Sequence, residues 1–236
     1  MKKEHIKDKN KVQAPLCAHC KVETNNKRCM DADGKPAAGC PTMVQSDILD
    51  SANEAYQDPA VREFAYQASV QEAEAYANRD QKPYVMQPHK TRIVEICEFA
   101  HRMGYRRLGL AFCMGLFKEA AVVSDLLEDK GFTVISVVCK AGCTPKTAIG
   151  ITEEHTIDHG LEEAMCNPIF QAELLNQQQS EFNILLGLCV GHDSMFFKYA
   201  QAPTTVLAVK DRVTGHNPLA AIYTMDSYYR KIKVMP

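Results

Sequence analysis

Three short apolar runs in this chain end on a thiol. Leu108-Gly-Leu-Ala-Phe-Cys113, Val134-Ile-Ser-Val-Val-Cys139 and Ile184-Leu-Leu-Gly-Leu-Cys189 each read as a buried strand with cysteine where the strand stops. A fourth run, Thr205-Val-Leu-Ala-Val209, leads into Lys210-Asp211. Unbroken apolar runs suit strands covered on both faces of a parallel sheet. Helical patterns alternate with them over 116–129 (closed by Gly131), 168–178 and 193–200, and a last helix opens at Asn217-Pro218. That alternation predicts an α/β fold with a four-stranded, mostly parallel, doubly wound sheet of Rossmann or flavodoxin type. In such a sheet the carboxyl ends of the strands share one edge, where ligands bind. Cysteines distant in sequence are therefore expected to meet there.

The sheet is preceded by a different kind of sequence. Residues 1–11 are charged and read as a solvated tail. Residues 12–45 carry four cysteines among Pro, Gly and polar residues, as a metal-organised knuckle does. A helical segment over 46–82 has a clear start at Asp58-Pro59, and 79–88 reads as a linker into the α/β domain, 88–236. Thr91 is placed as the cap of the helix that stops at Gly104. The helical segment, with Tyr66 and Tyr76, can pack on the sheet or on a second subunit, so a homo-oligomer stays open.

Bulk properties exclude several classes. A net charge of −2 and no tryptophan give no basic, base-stacking surface for nucleic acid. No apolar run reaches membrane-span length, and the charged start lacks the apolar region of a secretory signal. A cytoplasmic protein is expected. Ten cysteines in a reducing compartment point to metal binding, thiol chemistry or simple burial rather than disulfides. Cys97, on the apolar stripe Ile93-Val-Glu-Ile-Cys-Glu-Phe-Ala100, is read as packing.

Cys17-Ala-His-Cys20, Cys29 and Cys40-Pro41 form the first candidate set. The C-x2-C spacing lets two thiolates bind one metal, and the set suits either zinc or a [4Fe–4S] cluster. His19 is a candidate substitute ligand. The second set comprises Cys113, Cys139, Cys143, Cys166 and Cys189. Cys113-Met-Gly115 and Cys189-Val-Gly191 share a step in which glycine lets backbone N–H groups approach an anion or cluster. Cys166-Asn167-Pro168 places a thiol just before a helix N-terminus, which favours thiolate. If three of these thiolates held a [4Fe–4S] cluster, one iron would stay open to substrate. His192 and His216 are candidate general acids, with Asp193, Lys210 and Asp211 orienting substrate or tuning them.

Met165-Cys-Asn-Pro-Ile-Phe-Gln-Ala172, Gly187-Leu-Cys-Val-Gly-His-Asp-Ser194 and Lys210-Asp-Arg-Val-Thr-Gly-His-Asn-Pro218 resemble the domain of unknown function 1847 family of cysteine-rich microbial proteins. The resemblance runs from Cys17 to the C-terminal helix. It implies metal binding and a cytosolic protein, and it implies no reaction.

Three readings follow. In the first, the chain is an iron–sulfur enzyme acting on a small molecule at the sheet edge. In the second it is an electron carrier, metal chaperone or redox sensor that works with a partner protein. In the third, a zinc knuckle mediates interactions and the sheet cysteines are ordinary core.

Overall fold

The structure is a computed structural model that describes residues 14–234, so the tail over 1–11 lies outside the described residues. Two compact units part between Tyr66 and Gln67. In the first, 3-10 turns at Cys17–His19 and Thr24–Asn26 precede helices α1 (Pro41–Val44), α2 (Ser46–Ala55) and the start of α3 (Pro59–Glu74). The Asp58 carboxylate accepts the Ala60 and Val61 N–H groups at 2.8 and 3.1 Å, the cap that Asp58-Pro59 predicts. Helix α2 lies within the segment over 46–82 expected to be helical, ahead of the start expected at Asp58-Pro59. Its apolar Ile48 and Leu49 are exposed, so no buried stripe marks it.

The division falls inside α3 rather than in the 79–88 linker, and polar contacts give the reason. Gln71 Nε2 donates to Glu98 Oε2 at 2.8 Å, Lys90 Nζ does so at 2.6 Å, and Arg102 pairs with Glu74. These bonds hold the second half of α3 to α4 (Arg92–Arg102). Thr91 precedes α4 with extended backbone but makes no side-chain capping bond.

The α/β unit continues as β1 (Arg107–Phe112), α5 (Phe117–Asp129), β2 (Thr133–Val138), α6 (Pro168–Gln177), β3 (Phe182–Leu186), α7 (His192–Tyr199), β4 (Thr204–Ala208) and α8 (Leu219–Tyr223). The strands lie in the order β2-β1-β3-β4 and all pairings are parallel. This is the flavodoxin-like order, with its switch point between β1 and β3. The chain leaves β1 toward one side and β3 toward the other, which opens a crevice between their carboxyl ends.

Strand alternation sorts the core. Ala111, Val137 and Leu185 face Ala172 and Leu175 of α6 and Phe196 of α7. On the opposite face Phe182 meets Phe99 and Tyr105, and Phe112 meets Phe117. Leu175, Leu185 and Phe196 are fully buried, each stabilising the fold by about 1.5–3 kcal/mol. That packing fixes the strand ends on which the candidate site is built. Among the described residues no helix is long and apolar enough to cross a membrane.

Candidate functional site

Backbone hydrogen bonds set the first thiols in a row. Cys113 N–H donates to Leu186 O at 3.1 Å, and Cys139 N–H donates to Phe112 O at 2.8 Å. Both residues therefore continue the ladder by one step beyond their strands. The excursion that follows β2 returns beside it, where Asn167 N–H donates to Cys139 O at 2.7 Å. Asn167 then caps α6 by accepting the Phe170 N–H at 2.9 Å, and Pro168 occupies the first turn. Cys166 is thereby delivered to the neighbouring strand end, with its Sγ 3.6 Å from Cys139 Sγ. Cys113 also hydrogen-bonds Cys139, so three segments contribute one connected thiol trio.

The three thiols are not equivalent. Cys113 is pushed up to about 12, first by its hydrogen bond to Cys139 and then by burial; the Gly115 N–H and Lys210 oppose this. Cys166 is lowered to about 7 because Cys139 hydrogen-bonds its thiolate; burial and the nearby Cys189 and Cys113 oppose the shift, and Lys140 assists it. Cys139 lies between them. The Cys113 hydrogen bond pulls it down, but the Cys166 bond and burial outweigh that and leave it raised. Met114 N–H adds a bond to Cys139 Sγ at 3.3 Å. The half-buried Cys166 is thus the first of the trio to lose its proton.

Basic groups surround the thiols. A Cβ on Gly115 would stand 3.4 Å from Lys210 Nζ and 3.9 Å from Cys113 Sγ, which places the ammonium beside that strand end. Arg212 Nη2 donates to Cys189 Sγ at 3.2 Å. Lys140 Nζ donates to Ala164 O at 2.8 Å, near Cys166. Beneath them, fully buried Gln171 donates its Nε2 to Val137 O at 2.8 Å and Phe112 O at 3.3 Å, tying the ends of β1 and β2 together. Sequence reasoning missed Arg212, Lys140 and Gln171. The stretch Ile169-Phe170-Gln171-Ala172-Glu173-Leu174-Leu175 holds two polar residues, and nothing in it marks Gln171 rather than Glu173 as the buried one.

The other predicted residues fall into place less uniformly. Gly191 takes a left-handed conformation at φ 84°, and the N–H groups of His192 and Asp193 bond Cys189 O at 3.0 and 3.1 Å. The Asp193 carboxylate accepts the Gly191 and Ser194 N–H groups at 3.0 and 2.7 Å. The Asp211 carboxylate accepts Val213 and Thr214 N–H groups, both at 2.9 Å, and the Thr214 bonds are foremost in holding it below the usual carboxylate range. Both carboxylates are thus engaged in ordering turns. His216 Nδ1 lies 3.1 Å from the Asp211 N and 3.2 Å from the Val209 O, accepting from the first in one tautomer and donating to the second in the other. Cys143, exposed at φ 48°, makes no hydrogen bond to the trio. Cys97 is buried on α4, as read.

In the N-terminal unit, Cys17 and Cys20 lie on one 3-10 turn, closed by Cys20 N–H on Cys17 O at 3.2 Å. Lys35 N–H to Asn26 O at 2.6 Å and Arg28 N–H to Lys35 O at 3.1 Å close the loop that carries Cys29. Cys40 precedes Pro41 at the start of α1, and its carbonyl accepts the Met43 and Val44 N–H groups. All four cysteines, with His19, line a single cavity of about 420 Å³.

The two sets suit a metal centre differently. Among the described residues no three His, Cys, Asp or Glu side chains are grouped closely enough to hold one metal ion. In the knuckle, four soft donors stand around a cavity with room for a polyatomic group, which fits a [4Fe–4S] cluster better than a lone ion. At the sheet edge the sulfurs of Cys139 and Cys166 touch. Two thiolates on one zinc stand about 3.8 Å apart, so the pair has single-ion spacing, with Cys113 hydrogen-bonded to Cys139 beside it. A four-iron cluster, whose thiolates sit on separate irons, does not fit between these two sulfurs as they stand.

Residues 40–207 match the profile described as "Protein of unknown function (DUF1847)". The matched span includes all five sheet-domain candidate cysteines and Cys40; it excludes Cys17, Cys20, Cys29 and the segment from Lys210 onward. An uncharacterized protein of Methanocaldococcus jannaschii is 49% identical over 142 residues, which cover 60% of this chain and 70% of that protein. Crystal structures of Dph2 from Pyrococcus horikoshii, one of them with a 4Fe-4S cluster, align over 63% of this chain at 16% identity and a TM-score of 0.33. The aligned part spans only 34% of the Dph2 chain. The family match covers most of the chain, including its sheet, and the chain belongs to the DUF1847 family.

Proposed function

We propose that this is a cytoplasmic iron–sulfur protein whose [4Fe–4S] cluster is held by Cys17, Cys20, Cys29 and Cys40. The observation that carries this reading is the single cavity of about 420 Å³ that all four thiols line. A cluster bound there supplies one-electron transfer. Zinc is the second reading, favoured by the two-thiol turn at Cys17 and Cys20.

The switch-point crevice is read as the site at which the protein acts on a small anionic molecule. Lys210 and Arg212 supply the positive field, and the Gly115 and Gly191 turns leave backbone approach open. Nδ1 of His216 is engaged by the backbone, with Asp211 N–H at 3.1 Å and Val209 O at 3.2 Å, which leaves Nε2 as the nitrogen that can exchange a proton with a ligand. His192, half-buried at the start of α7, is the alternative proton carrier.

The test is iron, zinc and acid-labile sulfide per chain, on anaerobically purified protein and on Cys→Ser variants at the four knuckle positions. The expected result is about four irons with about four sulfides, lost in each variant. About one zinc without sulfide replaces the cluster by the second reading. Metal that survives all four substitutions overturns both.

A further inference from the structure

We propose that Cys166 and Cys139 form a thiol–disulfide exchange couple whose substrate is a small anionic disulfide. Their sulfurs stand 3.6 Å apart, and Asn167 N–H donates to Cys139 O at 2.7 Å, so the two chain segments run side by side at the thiols. A sulfur–sulfur bond of about 2 Å therefore needs an approach of about 1.5 Å.

The two thiols are fitted to different tasks. Cys166 is half-buried ahead of α6, while Cys139 is 3% exposed. The outer thiol is the one a substrate can reach, and the inner one can react only with a sulfur already delivered to it. Cys166 is also substantially ionised near neutrality, as an attacking thiol requires. Lys140, Lys210 and Arg212 around the thiols favour a substrate bearing carboxylates.

The exchange balances as follows. The Cys166 thiolate attacks one sulfur of an external disulfide RSSR, forming a Cys166–S–S–R bond and releasing RS⁻, which takes a proton from water. Cys139 loses its proton and attacks Cys166 Sγ, expelling the second RS⁻. Two protein thiols are oxidised to one disulfide while RSSR is reduced to two RSH. An external dithiol reverses the sequence.

The experiment uses the full-length, metal-containing protein, reduced and desalted, with oxidised glutathione as the probe. Peptide mapping should find a Cys139–Cys166 crosslink, with about two glutathione thiols released for each crosslink formed. Cys139→Ser should stop at glutathione bound to Cys166. Cys166→Ser should slow reaction at Cys139 by about tenfold or more. Knuckle metal content and circular dichroism, unchanged in both variants, show that each is folded and keep this outcome separate from that of the cluster reading. The proposal is overturned if Cys139 and Cys166 both stay free under excess oxidised glutathione. It is equally overturned if Cys113 replaces Cys166 in the crosslink, or if Cys139→Ser leaves Cys166 unmodified. Should a serine variant misfold, the wild-type crosslink map decides alone.

Discussion

Gly109 of β1 and Asn183 of β3 are register partners, and a Cβ on Gly109 would fall 2.2 Å from Asn183 Oδ1 and 2.7 Å from Leu175 Cδ1. Asn183 is held in place, accepting from Ser180 Oγ at 2.7 Å and reaching Thr204 Oγ1 at 3.4 Å. The missing side chain is what lets α6 lie close to the sheet. Gly109→Ala should therefore cost about 1–3 kcal/mol, read as a lower urea midpoint. An unchanged midpoint would mean that α6 packs further from β1 than described.

Gln171 fastens the thiol-bearing edge from below. Leucine there removes two donated hydrogen bonds, but it also removes Oε1, a buried acceptor without a partner. The net cost should be modest, about 1 kcal/mol, whereas Gln171→Ala adds a cavity and should cost about 2 kcal/mol or more. Both variants should make Cys139 react faster with maleimide under native conditions. Equal stability of the leucine and alanine variants would contradict the packing described.

Cys166 should dominate alkylation near neutrality. Its rate with iodoacetamide should rise about tenfold per pH unit below pH 7 and level off above, following a thiolate pKa of about 7. Cys113, held near 12, should stay inert until the protein unfolds. The native Cys166 pKa lies below that of an unfolded thiol, so its contribution to stability is full above the unfolded value. That contribution is lost as pH falls through about 7. Peptide-resolved alkylation from pH 5 to 9 checks the rates, and a flat Cys166 profile would sink the assignment.

Glu98 tests the bonds that join α3 to α4. Burial pushes its carboxyl pKa up, but the hydrogen bonds from Lys90 and Gln71 and the charges of Lys90 and Arg102 outweigh this and hold it low. Glu98→Gln should cost about 0.5–1 kcal/mol at pH 7. Since the folded pKa is depressed, the difference should vanish as pH falls below the ordinary carboxylate range. Denaturation of both proteins at pH 7 and pH 3 decides it; a difference that persists in acid points to shape rather than charge.

The apolar runs made the strands legible, and β1 and β2 begin and end within one residue of their predicted bounds. Cys113 and Cys139, at the ends of adjacent runs, have to share an edge once the sheet is parallel, whereas Cys166 joins them by a loop path and Cys189 pairs with Arg212 instead. The basic residues carried no such signal. Lys140 and Arg212 sit in ordinary polar turns, and their meeting with thiols depends on loop paths no local pattern encodes. Asp193 and Asp211 show the opposite difficulty. Read as chemical groups, they spend their carboxylates on nearby N–H groups, a habit of Asp in turns that the following Ser194 and Thr214-Gly215 already suggest. Helix α2 falls in the segment over 46–82 read as helical, but its separate start at Ser46 was not marked, because none of its residues is buried.

The excursion between β2 and α6 is zipped at its neck. Lys146 N–H bonds Glu163 O at 2.8 Å, Met165 N–H bonds Thr144 O at 2.7 Å, and the Lys146–Glu163 ion pair reinforces them. The spacing of Cys139 and Cys166 is set by that neck rather than by the residues beyond it. Residues 147–162 are consequently free to lengthen, shorten or change composition in the course of evolution without disturbing the thiols.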